Sequence, residues 1–287
     1  MRSFEHFAVV DWSGAAGLRQ RGIAIAICTP GKDAPRLVRP GHVWSREDVL
    51  DWVLREMPAD TIIGFDVSPG LPFIDGGAYF PSWEESPSNA RALWQFVERL
   101  STSDPYLSVN SFVSHGVASR YFRRQGKGTG DRFGTGPGRF RLVEHRQRDA
   151  QLSPYSCFNL VGAAQVGKSS LTAMRMLHRI GDAVPIWPFD PLPTTGSVIV
   201  EIYTSLAARA ARIPKGRSKM RDGHALDVAL HALGSSHHEP MTHYSDHATD
   251  AILTAAWLRT VAHSEALWFP TGLGTVAETE GWTFGVV

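Results

Sequence analysis

The chain has 287 residues, 43% of them hydrophobic, including 14 Phe and 9 Trp, so it can bury a sizeable core; at about 150 residues per domain it allows one large or two small domains. Lys and Arg (29) nearly balance Asp and Glu (28), which excludes any argument about partners from bulk charge and leaves only local clustering to signal nucleic acid. Two cysteines form neither a metal pattern nor a disulfide framework, the N-terminus lacks a leader pattern, and no apolar run approaches the roughly 18 to 20 residues that span a bilayer, so a cytoplasmic location with no membrane partner is expected.

In chain order, the apolar run His6-Phe7-Ala8-Val9-Val10 ends on Asp11 before Trp12-Ser13-Gly14, which reads as a buried strand delivering a carboxylate to a sheet edge. A second strand is predicted over 22–28 and a third over 36–39 and 41–44; such short connections favour an antiparallel meander. Ser45 with Asp48 three residues on reads as a capping box opening a helix that Met57-Pro58 ends. The run Thr61-Ile62-Ile63-Gly64-Phe65 ends on Asp66, and a strand-helix-strand return of this kind is most simply parallel to the first strand.

Residues 67–165 read as a large insertion after the fourth strand, holding a helix over 89–100 and a glycine-rich stretch at 119–148. That stretch has nine Lys or Arg against two acidic residues, a net of +7. Its functional reading is a basic flap gripping phosphates, with Arg120, Arg123, Arg124 and Lys127 as contacts and Tyr121, Phe122, Phe133 and Phe140 offered for base stacking; the bland reading is a solvated loop whose arginines pair elsewhere. Helices are predicted over 169–179, 205–212, 218–233 and 246–262, and a short strand over 156–161. A strand over 197–203 carries Glu201, and Lys215, Arg217, Lys219 and Arg221 form a second basic cluster.

The last helix is apolar almost all round, yet carries Asp246 and Asp250 one turn apart. Four separate elements thus bring a carboxylate into apolar surroundings, where an isolated charge is costly. Mg2+ or Mn2+, hard cations that favour oxygen ligands, would account for all four.

Together these pieces resemble the ribonuclease H-like fold and, more narrowly, the family of predicted nucleases known as domain of unknown function 429. The matching segments are Val10-Asp11-Trp12-Ser13-Gly14, Ile63-Gly64-Phe65-Asp66-Val67-Ser68-Pro69-Gly70-Leu71-Pro72, Gln165-Val166-Gly167 before a helix, Val200-Glu201-Ile202-Tyr203 and Asp246-His247-Ala248-Thr249-Asp250-Ala251. The resemblance implies an α/β chain with a single domain over 1–287. In it three antiparallel strands are followed by parallel ones in a mixed sheet flanked by helices. The activity it implies is two-metal hydrolysis of phosphodiester bonds in nucleic acid. Asp11 is then the bridging ligand, Asp66 and Asp250 are terminal ligands, and Glu201 is a ligand or orients the water. Asp246 is an alternate to Asp250, although its place beside Ser245 suits a helix cap, and Lys219 is set to meet developing phosphate charge.

One motif competes. Gly162-Ala163-Ala164-Gln165-Val166-Gly167-Lys168-Ser169 satisfies G-x-x-x-x-G-K-[ST], which in a strand-loop-helix setting cradles nucleotide phosphates and would make the chain an NTPase or kinase. The expectation here is a glycine turn opening a core helix. A third reading is a non-catalytic nucleic-acid-binding protein of the same fold.

Overall fold

The computed structural model describes residues 2–162, 166–214 and 219–287. Strands β1 (His6–Asp11), β2 (Ala24–Cys28) and β3 (Arg36–Leu37) form the antiparallel meander, and β4 (Thr61–Phe65) returns parallel to β1 by way of α1 (Arg46–Arg55). The capping box at the start of α1 is complete: Ser45 Oγ accepts from the Asp48 N–H, and the Asp48 carboxylate accepts from the Ser45 N–H. Between β4 and the last strands come α2 (Ala90–Leu100), α3 (Asn110–Ser114), the small hairpin β5 (Arg123–Arg124) and β6 (Gly128–Thr129), α4 (Leu142–Asp149) and α5 (Val166–Ile180). Strands β7 (Ile186–Trp187) and β8 (Val198–Glu201) complete a six-stranded sheet ordered β3-β2-β1-β4-β8-β7, with β4, β8 and β7 mutually parallel. Helices α6 (Thr204–Ala210), α7 (Gly223–Ala232), α8 (Asp246–Val261), α9 (Glu265–Trp268) and α10 (Leu273–Val276) close the chain. The result is an α/β fold whose sheet runs antiparallel, then parallel, between helices. No helix among the described residues is long and apolar enough to cross a membrane.

The pleat sorts side chains into two cores. Ala8, Val10, Ile63, Phe65 and Ile199 pack on one face, with α1, α2 and α5, while Phe7, Val9, Ile62, Val198 and Val200 pack on the other, with α6, α7 and α8. Helix α8 is apolar on nearly every side because it is buried by β1 and β2 beneath it and α6 and α7 beside it.

Several local expectations need correction. Only Arg36–Leu37 of the third strand is regular; Trp44 makes an isolated bridge to Gln20 instead. The expected strand over 156–161 is absent, with Asn159 bridging Arg123 alone. Tyr121, Phe122, Phe133 and Phe140 are all buried, so none is offered to a base; the first three pack into the core beneath the glycine turns, and Phe140 lies under the Arg148 guanidinium. The helix expected over 218–233 begins at Gly223 behind the Asp222 cap. Ser218, Lys215 and Arg217 lie outside the described residues.

Candidate functional site

Parallel pairing of β1 with β4 matches Val10 to Phe65, which sets Asp11 and Asp66 side by side one step further on, and the Asp66 N–H donates to the Val10 carbonyl at 3.1 Å. Counting in twos from Val9 and from Ile62 directs both carboxylates to the face that α8 covers. Helix α8 meets them with its first turns, anchored by Ser245, whose hydroxyl accepts from the Ala248 N–H. His247 Nδ1 lies 3.3 Å from Asp11 Oδ1.

The electrostatics tie three of the expected residues into one group. Burial pushes the Asp66 carboxyl well above the usual carboxylate range, and the charges of Asp11 and Asp250 push it further; the Thr204 N–H opposes them. Asp250 is raised to about 7 by burial, then by Asp11 and Asp246, against His247 and Lys219. Asp11, 7% exposed, is raised by burial and held back chiefly by its contact with His247. Among the described residues none of the three pairs with Lys or Arg; the imidazole of His247 is the nearest compensating group, and the Asp11 hydrogen bond raises its pKa in return. The sequence pattern singles out no role for His247, although its spacing from Asp250 would place both on one side of a helix.

Glu201 is different. Because Phe65 pairs with Glu201, its side chain shares the Phe65 face, opposite to Asp66. There both carboxylate oxygens are engaged: Arg141 donates to them at 2.6 and 2.8 Å, and the Thr283 hydroxyl donates to Oε1 at 2.6 Å. Its charge still reaches Asp66, but as a metal ligand it is replaced by its role in an ion pair. Arg141, counted by sequence in the basic flap, is 1% exposed and also donates to Glu144, to the Ser68 hydroxyl and to the Glu280 carbonyl. Burial alone would lower its pKa; Glu201 and Glu144 outweigh that and keep it charged.

The remaining basic residues are dispersed. Arg120 pairs with Asp131, Arg124 donates to the Val113 carbonyl, and Arg123 and Lys127 are exposed. Lys219 and Arg221 both pair with Asp246, each at 2.9 Å, so Lys219 does not stand free to meet a phosphate, and Asp246 is neutralised from outside while Ser245 supplies the cap.

Beside Asp66 opens a cleft of about 410 Å3, lined also by Gly14, Arg141, Tyr155, Glu201, Tyr203 and His247. Gly14 is obligatory here: a Cβ would collide with the backbone of Lys168 and Ser169, where the start of α5 docks and Ser169 Oγ accepts the Gly14 N–H. This docking also bears on the Gly162–Ser169 motif. Its Ala163, Ala164 and Gln165 lie outside the described residues, but no sheet strand leads into it, and Gly167 abuts the Cys157 carbonyl. Among the described residues the strand that would open a strand-loop-helix phosphate cradle is missing.

A divalent cation fits this donor set chemically: three oxygen ligands, desolvated and mutually repelling. Among the described residues no group of three or more His, Cys, Asp or Glu side chains is placed to close on one ion. No family model, curated protein or solved structure matches this chain.

Proposed function

We propose that the chain is a nuclease of ribonuclease H-like architecture, akin to domain of unknown function 429, hydrolysing phosphodiester bonds with Mg2+ or Mn2+. The observation that carries this reading is the grouping of Asp11, Asp66 and Asp250, drawn from two strands and a distant helix onto one face, with Asp11 raising the proton affinity of the other two and Asp250 that of Asp66. When bound, a pair of such ions supplies an activated water and neutralises charge on the leaving oxygen.

The chain's own residues do the rest. Asp11, flanked by Asp66 and by α8, is suited to bridge; Asp66 and Asp250 are suited to terminal positions. His247 orients Asp11 through its Oδ1. Arg141 holds Glu201 and Ser68, fixing part of the cleft lining without pairing with the three aspartates. The sheet order, with a three-strand meander followed by β4 parallel to β1, supports the architectural part of the reading.

The test is a panel of single- and double-stranded DNA and RNA incubated in magnesium and in manganese, with chelator and with Asp11→Asn as controls. Cleavage that disappears in both controls is expected. Cleavage undiminished in Asp11→Asn would reject the site.

A further inference from the structure

A second cavity, of about 350 Å3, adjoins the carboxylate cleft, and Tyr203 forms a wall of both. It is lined by Arg209 and Arg212, with Ser205 and Gln151. Both arginines are exposed, on or just beyond α6, and among the described residues neither has an acidic partner. That sets them apart from Arg120, Arg139 and Arg141, which are held by Asp131, Asp75 and Glu201. None of Arg120, Arg123, Arg124 and Lys127 lines either cavity.

We propose that this groove, running from the carboxylates past Tyr203 to Arg209 and Arg212, is the track of a single nucleic-acid strand whose phosphates the two arginines hold. The proposal rests on the nuclease reading and names its substrate form. A polyanion approaching three carboxylates is repelled, so its affinity must come from cations beside the reacting group, and Arg209 and Arg212 are the unpaired cations on the adjoining wall. The two cavities, of about 410 and 350 Å3, lie at the small end of the range for ligand pockets. Tyr155, 54% exposed at the mouth of the cleft, offers a ring on which a base can stack, as sequence-tolerant single-strand binders do.

The test uses fluorescence anisotropy of an end-labelled single strand of about 12 nucleotides, and of a hairpin duplex, both in chelator so that no cleavage intervenes. Arg209→Ala with Arg212→Ala should weaken single-strand binding by about tenfold and reduce the slope of log affinity against log salt by about 1.4, since each lost phosphate contact removes about 0.7. Arg209→Lys with Arg212→Lys should keep the slope, and Arg123→Ala with Arg124→Ala should leave it unchanged. Unchanged melting temperatures establish that the variants fold. A slope unaltered by the Arg209 and Arg212 pair, or tighter binding of the duplex than of the single strand, would overturn the proposal. Because binding is read without metal, the track can fail while cleavage persists, and cleavage can fail while the slope still responds.

Discussion

Replacing Asp250 with Asn should stabilise the metal-free protein, and by an amount that depends on pH. Folding moves this carboxyl from an ordinary value of 3.8 to about 7, roughly three units, and at about 1.4 kcal/mol per unit the cost of keeping it ionised is about 4 kcal/mol. The sign follows from linkage: a carboxyl raised in the folded state holds its proton more tightly there, so stability falls as pH rises from about 4 to 7 and stays low above. Asparagine keeps the shape and removes the charge. In chelator at pH 8 the variant should therefore gain up to about 4 kcal/mol, which for a chain of this size is about 8 °C in melting temperature. At pH 4 wild type and variant should nearly coincide. Magnesium should shrink this gain, because an ion at 100 times its Kd returns about 2.7 kcal/mol to the wild type and less to a variant that has lost a ligand. A variant that melts lower than wild type at pH 8, or a gain of equal size at both pH values, would refute the idea that Asp250 sits in an uncompensated group of like charges.

Glu201→Gln should do the opposite of Asp250→Asn and destabilise, and Arg141→Met should cost about 3 to 5 kcal/mol in urea titration because it leaves Glu201 and Glu144 buried with their cation gone; a loss under about 1 kcal/mol would show that the network does not hold the cleft wall. Wild-type melting temperature in chelator should decline between pH 5 and 8, since Asp11, Asp66 and Asp250 are all raised and the raised His247 gives up its stabilising charge over the upper part of the same window; a rise over that range would contradict the sign. Calorimetric titration should detect no ATP binding, and Lys168→Ala should change nothing there; an ATP affinity lost in that variant would restore the nucleotide-loop reading.

The elements legible in the sequence were those whose signal is local. Asp11 and Asp66 end unbroken apolar runs, Ser45 and Asp48 cap a helix across three residues, and α8 announces its burial by lacking a polar side. What was not legible depended on pairing across the chain. The apolar β8 has no alternation to say which face Glu201 takes; only its register with Phe65 does so. Counting charges in residues 119–148 says nothing of Asp75, whose carboxylate claims Arg139 from 64 residues away, or of Glu201, which claims Arg141 from 60. His247 acquires meaning only when α8 is laid across β1.

The contrast between the two faces of the sheet edge is the strongest physical support for a cation site. On the Phe65 face the buried Glu201 and Glu144 share Arg141, and the half-buried Glu98 has Arg175 and Arg179, while Glu280 is held by the backbone N–H groups of Phe73, Ile74 and Leu142. Asp11, Asp66 and Asp250, by contrast, have one imidazole among the described residues and accept the repulsion that follows. Arginine there would be the stabilising choice, as Arg141 demonstrates, so a fold that keeps three carboxylates unpaired is consistent with compensation by something the polypeptide does not carry. Hard divalent ions meet that requirement with oxygen ligands alone, and they also bring the charge that a phosphodiester needs before it can approach.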